Sequence, residues 1–319
     1  MKAQRDEFIE YLFMQAKRDP SIIFISVDMG AQALDQWRAE LPDQFIAAGI
    51  SEQSAINLAA GLAAAGKKPY VYMMACWAAR CFEQIRYSCA MTKLSVTILG
   101  NGVGLGYAPA GPAHEPTEDL CYMRAIEGLE IYSPSNLAQV RNIARNTHLH
   151  PALRYVRLER SVAPRIAEGP NNPHNSGIDL LKAFKGVSAI DVTFLSSGYL
   201  LDRVLDVAKN IFDELNISIQ VLDVWKVKPL DLQRLQSHIE FSDLLVTIEE
   251  QARDGAFGSA ILEGVSDLEL LIPIKRISLS TAYAFKNGNR DQLLDTYGLS
   301  TDFIEKSVLS AIKKLSVSK

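Results

Sequence analysis

The stretch Gly49-Ile50-Ser51-Glu52-Gln53 connects a short apolar run to the most alanine-rich segment of the chain, residues 54–65. Alanine has the highest intrinsic helix propensity, so this segment is predicted to form a buried helix. Glu52 then lies at the start of that helix, where the helix dipole stabilises a carboxylate by roughly 0.3 to 1 kcal/mol. The helix start alone therefore accounts for an acidic residue at this position. Only the neighbouring residues can indicate a chemical role for Glu52.

Apolar strands alternate with helical segments on both sides of this stretch. Such alternation indicates an α/β fold in which helices cover a largely parallel sheet. We therefore predict two domains, each a largely parallel sheet covered by helices. The predicted strands are residues 22–27, 69–74, 95–99, 130–132, 153–158, 190–195, 218–224 and 243–249, and the principal helices are residues 3–18, 54–65, 80–90, 137–145, 201–215 and 231–237.

A change in composition marks the boundary between the two domains. From Ser161 to Lys185, proline, asparagine, glycine and histidine replace the apolar pattern, which is typical of a connection. We predict a first domain at residues 1–165, a linker at 166–186 and a second domain at 187–319.

Composition and charge exclude several classes of protein. The 319 residues carry a formal net charge of -4, whereas a nucleic-acid-binding protein needs a basic excess. No apolar run reaches the 18 or so residues that span a bilayer, and the charged first residues differ from a signal peptide. We expect a cytoplasmic protein that binds neither membranes nor nucleic acids. The four cysteines include no Cys-x-x-Cys pair, so no metal site is predicted.

Three further segments carry residues suited to chemistry. An aromatic and basic segment, Trp77 to Arg86 (WAARCFEQIR), follows the second long strand, and a glycine-rich loop ends in residues 111–116 (GPAHEP). His114 in this loop is suited to proton transfer near neutral pH. Asp28 directly follows the first strand, where open parallel sheets place ligand contacts, but a loop-capping role explains it equally well.

Together these segments resemble the pyrimidine-binding half of transketolase-like, thiamine diphosphate-dependent enzymes, and the resemblance extends over nearly the whole chain. It implies that Glu52 hydrogen-bonds N1′ of the cofactor's aminopyrimidine and so activates the thiazolium carbon by proton transfer. The resemblance also implies that Trp77 stacks on the pyrimidine, although some split family members carry this aromatic one position earlier, where this chain has Cys76. Phe82 completes an apolar cage or packs in the core. Arg80, expected to be buried, is a salt-bridge partner or a cofactor-site residue.

The resemblance assigns substrate roles to two more residues. His114 would hydrogen-bond the donor sugar and shuttle protons, although transketolases carry threonine where this chain has Ala113. Arg157 resembles the arginine that binds a sugar phosphate, with an interdomain salt bridge as the alternative. Glu118 and Asp119 are expected to cap the following helix. The Glu249 to Ala260 turn of the second domain resembles a family segment used for subunit packing, and we assign it no catalysis.

Full-length family members also contain a diphosphate-binding domain with a Gly-Asp-Gly motif, which this sequence lacks. The resemblance therefore implies a split transketolase, in which a partner subunit supplies the Mg²⁺ ligands and the diphosphate site. We expect a self-associating chain that forms a heterotetramer with this partner and acts on a sugar phosphate. Three alternatives remain: a 1-deoxyxylulose 5-phosphate synthase-like enzyme, the beta subunit of a 2-oxoacid dehydrogenase, and a non-catalytic scaffold subunit.

Overall fold

Two helix-covered sheets, one in each half of the chain, organise the computed structural model, which describes residues 2–160, 176–187, 191–280 and 283–318. Most of the proline- and asparagine-rich segment that predicted the domain boundary lies outside the described residues. The fold class expected from the sequence, two largely parallel sheets covered by helices, is confirmed.

The first sheet has seven strands in the order β10-β5-β6-β4-β3-β1-β2, and all neighbouring pairs are parallel except β10 with β5. Its central strands are entirely buried, as expected for a parallel sheet covered on both faces. The strands are β1 Ile22–Ser26, β2 Phe45–Ala47, β3 Lys68–Met74, β4 Thr97–Asn101, β5 Glu130–Tyr132, β6 Arg154–Leu158 and β10 Lys226–Lys228.

Helices pack on both faces of this sheet. They are α1 Gln4–Ala16, α2 Leu34–Glu40, α3 Glu52–Ala64, the single turn α4 Phe82–Gln84, α5 Asp119–Arg124 and α6 Leu137–Leu149. The helix predicted at residues 80–90 is instead a 3-10 segment, Ala75–Cys81, followed by α4 and a π-helical turn, Ile85–Ala90. Periodicity does not distinguish these tighter and wider turns from an α-helix, and such irregular turns are frequent at functional sites.

The second sheet has five strands in the order β12-β11-β8-β9-β7, and only β7 runs antiparallel to its neighbour. Its strands are β7 Ile178–Phe184, β8 Asp191–Ser196, β9 Ser218–Val224, β11 Leu244–Ile248 and β12 Ile274–Ile277. The accompanying helices are α7 Leu201–Leu215, α8 Leu232–Ile239, α9 Phe257–Asp267, α10 Arg290–Leu294 and α11 Thr301–Ser318.

The two halves share structural elements. β7 lies within the predicted linker but pairs along its length with β9, so that part of the linker belongs to the second sheet. β10 comes from the second half but forms the edge strand of the first sheet. One apolar core cluster contains residues of both halves, including Ile131 and Phe257. Residues 187–319 are therefore tied to the first sheet rather than set apart from it.

A buried ion pair joins the second half to the glycine-rich loop of the first. Arg290 donates to Glu159 and to Glu250, each at 2.6 Å, and all three side chains are at most 9% exposed. Glu250 also accepts a hydrogen bond of 2.8 Å from the backbone N–H of Leu105. The φ angle of Gly104 is +55°, and a Cβ atom there would lie 2.7 Å from the Glu250 carboxyl carbon. Glycine thus allows the loop to approach this ion pair.

None of the helices that the structure describes is both long enough and apolar enough to cross a membrane.

Candidate active site

The carboxyl ends of the parallel strands place the predicted site residues along one edge of the first sheet. Asp28 follows β1, and α3 with Glu52 at its start follows β2. Trp77 and Arg80 follow β3, and the loop that carries His114 follows β4. Ligand sites of open α/β sheets lie at this edge, in the loops that follow the carboxyl ends of the strands.

Glu52 is the first residue of α3 and is 5% exposed. One of its carboxylate oxygens, Oε2, accepts a hydrogen bond of 3.3 Å from Arg80 Nη1. The side chain of Arg80 is 52% exposed, so the expectation that this charge is buried was wrong. The guanidinium reaches into solvent while it compensates the buried carboxylate. Arg80 is thus a salt-bridge partner of Glu52, and its role in the cofactor site stays a prediction.

Trp77 and His114 continue this cluster. The Arg80 guanidinium carbon lies 5.1 Å from the centre of the Trp77 ring, within the range of a cation–π contact. The His114 ring meets Trp77 edge to face, with 5.6 Å between ring centroids. Glu52, Arg80, Trp77 and His114, which lie up to 62 positions apart in sequence, therefore form one series of direct contacts.

His114 Nδ1 is buried and has no hydrogen-bond partner among the described residues. Buried polar atoms in folded proteins are nearly always hydrogen-bonded, so an unpaired one needs an explanation. The neighbouring residue, Glu115, is 3% exposed, and both of its carboxylate oxygens also lack partners within the described chain. Burial, together with the Glu250 carboxylate, raises the pKa of Glu115 to about 7. The sequence interpretation missed Glu115, whose only signal was its place beside His114.

Cys76 is the position at which some split relatives carry the stacking aromatic. Burial raises the pKa of its thiol to about 12, and the Glu52 carboxylate contributes to the rise. The thiol is therefore protonated at neutral pH, and its pKa responds to the negative charge of the Glu52 carboxylate. Cys76 has no ring that could stack on the cofactor. The Trp77 ring contacts Arg80 and His114, so Trp77 remains the candidate for the stacking aromatic.

Phe82 and Asp28 lie outside this series of contacts. Phe82 is half-buried and packs against the apolar core, which agrees with its core interpretation. Asp28 is exposed and its φ angle is 43°, a left-handed conformation that aspartate tolerates in loops. Its side chain shows no described contact with Glu52 or His114, and its role beside the site stays a prediction.

Arg157 is placed differently from the expectation. It is 2% exposed and binds Asp119 through two hydrogen bonds, of 2.7 and 3.1 Å, and Ser133 through a third of 2.9 Å. Asp119 lies in the same half of the chain, so this is not an interdomain salt bridge. Asp119 is also a fully buried ion-pair partner rather than a simple helix cap. Because the guanidinium is already neutralised, we leave Arg157 out of the substrate site.

The geometry fits the aminopyrimidine of thiamine diphosphate. Glu52 has a second oxygen, Oε1, with no described partner, and the contacts through Arg80 and Trp77 link it to His114, whose Nδ1 is also unpaired in the described chain. A flat heterocycle with ring nitrogens and an amino group would supply a hydrogen bond for Glu52 and a face on which Trp77 can stack. Among the described residues, no three His, Cys, Asp or Glu side chains are grouped closely enough to hold a metal ion.

Comparison with family models matches residues 3–165 to the pyrimidine binding domain of transketolase and residues 184–304 to the transketolase C-terminal domain. The chain belongs to the transketolase family. The resemblance inferred from the motifs is thereby confirmed.

Similar proteins of this family include both split and full-length members. An apulose-4-phosphate transketolase subunit of Phocaeicola vulgatus is 30% identical over 316 residues, which cover 98% of this chain and 99% of the relative. A 1-deoxy-D-xylulose-5-phosphate synthase of Microcystis aeruginosa is 32% identical, and the aligned region is 46% of its length. A solved structure described as a split gene transketolase, an inactive beta4 tetramer, matches with a TM-score of 0.86 and 28% identity over 98% of this transketolase-family chain.

Proposed function

We propose that this chain is the C-terminal subunit of a split transketolase, which transfers a two-carbon ketol unit from a ketose to an aldose with thiamine diphosphate. The observation that carries the proposal is the contact series from Glu52 through Arg80 and Trp77 to His114. The cofactor supplies the electron sink for the carbanion chemistry. The similarity of nearly full length to the apulose-4-phosphate transketolase subunit supports the split organisation.

Each residue of the series has a role in this proposal. Glu52 shares a proton with the aminopyrimidine, and its burial at a helix start keeps water from competing for the carboxyl group. Trp77 provides the stacking surface. Arg80 holds the Glu52 carboxylate in place through Oε2 and leaves Oε1 for the ligand. His114 binds the donor sugar and moves protons through Nδ1, the atom without a partner in the described chain.

A partner subunit completes the proposed enzyme. The two matched family models describe the pyrimidine-binding and C-terminal domains. Magnesium prefers several oxygen ligands shared with phosphate groups, and the described residues offer no such group. We therefore assign Mg²⁺ and the diphosphate to a separate diphosphate-binding subunit, in a heterotetramer built on a dimer of this chain. The inactive beta4 state of the solved relative is in keeping with a subunit that needs such a partner. We place the enzyme in the cytoplasm, where charged sugar substrates are available.

The second candidate is a 1-deoxyxylulose 5-phosphate synthase-like enzyme, favoured by the similarity to the Microcystis aeruginosa protein. The beta subunit of a 2-oxoacid dehydrogenase acts on the same class of substrate. Both consume a 2-oxoacid with release of carbon dioxide, whereas ketol transfer consumes a ketose and releases none. A carbon dioxide assay with pyruvate therefore separates these candidates from a transketolase.

The experiment begins with native mass spectrometry of the chain, purified from its own cells with thiamine diphosphate and Mg²⁺. We expect a second subunit and stoichiometric cofactor. In the purified complex, Glu52→Gln should lower turnover about 10² to 10⁴-fold, because it removes positioned proton transfer while preserving side-chain volume. Glu83→Gln, at an exposed carboxylate on α4, is the matched control and should leave turnover unchanged.

Two results would contradict the proposal. Near-normal turnover of the Glu52→Gln complex would exclude the proton-sharing role. A complex that holds cofactor and partner but turns over neither ketoses nor 2-oxoacids would identify the chain as a non-catalytic scaffold subunit.

A further inference from the structure

The His114 segment, which runs from the glycine-rich loop to Cys121, lies against the second half of the chain, along the turn between β11 and α9. The backbone N–H of Ala252 donates a hydrogen bond of 2.8 Å to the carbonyl of Thr117. Farther along, the thiol of Cys121 donates to the carbonyl of Asp254 at 2.7 Å. These contacts hold the His114 segment and the turn side by side.

Glu115 is buried in this contact without a described partner. Its side chain follows His114 directly, it is 3% exposed, and neither carboxylate oxygen has a hydrogen-bond partner among the described residues. The Glu115 carbonyl accepts from the N–H of Thr117 at 2.9 Å, so Glu115 lies two positions from the hydrogen bond to Ala252. A buried carboxylate without hydrogen bonds is costly, and such a group takes up a proton instead. Burial therefore favours the neutral form of Glu115.

The nearest charge acts in the same direction. The Glu250 carboxylate faces Glu115 from the second half. Arg290 pairs with Glu250 and with Glu159, each at 2.6 Å, so one cation already compensates two carboxylates. An ionised Glu115 would add a third negative charge to this buried group. The other acids of the two segments accept hydrogen bonds elsewhere: Glu249 from the N–H of Gly258, Glu118 from the hydroxyl of Thr117, and Asp119 from Arg157.

These surroundings make the contact between the two segments depend on pH. Burial and the Glu250 carboxylate raise the pKa of Glu115 to about 7, whereas the ordinary value of a glutamate is about 4.3. The segment in contact therefore retains a proton that an exposed Glu115 would release. By linkage, the contribution of Glu115 to the contact is fully present below about pH 4 and is lost as the pH rises to about 7.

We propose that Glu115 is a positioning residue for His114, and that its neutral carboxyl keeps the His114 segment in contact with the second half. When Glu115 releases its proton to solvent, its new charge lies buried beside Glu250, and the segment moves outward so that water can hydrate the charge. His114 then loses its edge-to-face contact with Trp77, which joins the two rings at 5.6 Å. The positioning role rests on the proposed function, whereas the proton-dependent contact does not.

The first test follows the contact by hydrogen exchange and mass spectrometry, in the chain purified from its own cells with its accompanying subunits. Peptides that contain Thr117 and Ala252 report on local opening of the two segments. After correction for the intrinsic pH dependence of exchange, their protection should fall about tenfold between pH 5 and pH 7 and level off above pH 7, because the pKa of Glu115 differs between the closed and open segment.

The second test is the pH profile of ketol transfer by the same complex. If His114 needs the neutral form of Glu115, kcat/KM should fall about tenfold between pH 6 and pH 8, as a group with a pKa of about 7 ionises. Titration of His114 itself acts at the opposite end of the profile, because protonation at low pH removes its ability to accept a proton.

Glu115→Gln separates the two ends of the profile. Glutamine resembles a neutral carboxyl in shape and in hydrogen bonding and cannot ionise, so both the fall in protection and the fall in kcat/KM should disappear. Glu127→Gln is the matched control at an exposed carboxylate and should retain the wild-type pH dependence. Glu250→Gln leaves Arg290 paired with Glu159 and should move the end of the fall to lower pH, because it removes the charge that faces Glu115.

The inference is overturned if Glu115→Gln and the wild type show the same pH dependence of protection and of kcat/KM. A loss of turnover in Glu115→Gln that is equal at every pH would also overturn it, since that result indicates a purely structural role.

The two tests together separate this inference from the proposed function. Protection that depends on pH through Glu115, in a complex without ketol transfer, would support the proton-dependent contact and refute the function. Ketol transfer with a pH profile that Glu115→Gln leaves unchanged would support the function and refute the positioning role.

Discussion

The two sheets of this protein present their strand ends in contrasting ways. At the carboxyl edge of the first sheet, His114 Nδ1 and Asn101 Oδ1 lack partners in the described chain. At the corresponding edge of the second, Ser196 donates to the backbone of Ile248, and Glu249 accepts from the N–H of Gly258 at the start of α9. Glu249 Oε2, however, is buried without a described partner, so both edges retain an unpaired polar atom. The edges differ in that the second uses Ser196 and the other Glu249 oxygen for contacts with its own backbone, whereas the described chain leaves His114 Nδ1 and Asn101 Oδ1 unused.

The difference teaches that sheet topology supplies only the location of a site. Polar groups at strand ends can bind a ligand only when no other group of the chain already forms their hydrogen bonds or ion pairs. Strand-end carboxylates of both sheets are used to hold the two halves together, since Arg290 pairs with Glu159, which follows β6, and with Glu250, which follows β11. A substitution at the unpaired groups of the first edge should therefore change activity, and one at the Arg290 ion pair should change stability.

The largest expected effect is on activity at the first edge. His114→Asn should lower turnover about 10² to 10⁴-fold, because it removes a proton-transfer group. The free energy of unfolding should fall by no more than about 1.5 kcal/mol, the loss of the edge-to-face contact with Trp77, since no described residue bonds to His114 Nδ1. Steady-state kinetics and urea unfolding measure the two quantities. His150→Asn, at an exposed position, is the control. A loss of stability as large as the loss of activity would show that the first edge is structural too.

The next effect concerns stability at the second edge. Arg290→Met should lower the free energy of unfolding by about 3 to 5 kcal/mol, because it leaves Glu159 and Glu250 buried without a cation. Urea unfolding at pH 7 measures the loss. The exposed ion pair of Lys209 with Asp213 gives the control, and Lys209→Met should cost less than about 1 kcal/mol. Equal losses in both variants would mean that the ion pair does not hold the edge closed.

A pH dependence follows from Asp223, near the end of β9. Burial raises its pKa to about 7, and nearby Asp179 adds to the rise. The folded chain therefore retains a proton that the unfolded chain releases above about pH 4, the ordinary range of aspartate. This group's contribution to stability is greatest below that pH and is lost as the pH rises toward 7.

Asp223→Asn should remove this contribution to the pH dependence. The asparagine can still accept from Ser135, which donates to Asp223 at 2.8 Å. Unfolding free energies at several values between pH 4.5 and 7.5 should fall less steeply for the variant than for the wild type. Asp213→Asn, at an exposed carboxylate, should leave the slope unchanged. Identical slopes for Asp223→Asn and the wild type would contradict the prediction.

The smallest effect concerns the loop that follows β4. Gly102→Ala should cost about 1 to 3 kcal/mol, because the new methyl group displaces the Tyr107 ring and the φ angle of +76° disfavours alanine. Gly61→Ala, in α3 with open space around its Cα, is the control and should be neutral or slightly stabilising. A free energy of unfolding equal to that of the wild type would show that the loop accommodates the methyl group without strain.

Local sequence predicted most of the fold. Buried strands such as β4 and amphipathic helices such as α7 were found from their periodicity, since these patterns depend on neighbours in the chain. β7 and β10 were missed because they are edge strands whose pairing depends on residues far away in sequence. The irregular turns at Ala75–Cys81 and Ile85–Ala90 were also missed, because periodicity describes regular helices.

The motifs around Glu52, Trp77 and His114 determined, from sequence alone, the family and the edge of the sheet at which the candidate site lies. They did not determine which charged groups remain available. Arg157 and Arg160 are three positions apart and have the same side chain, yet Arg157 is neutralised by Asp119 and Arg160 is not paired with a described carboxylate. That difference depends on where a carboxylate from another segment lies in the folded chain. Tertiary structure decides it, because electrostatic compensation acts through space over a few ångströms and leaves no local pattern in the sequence.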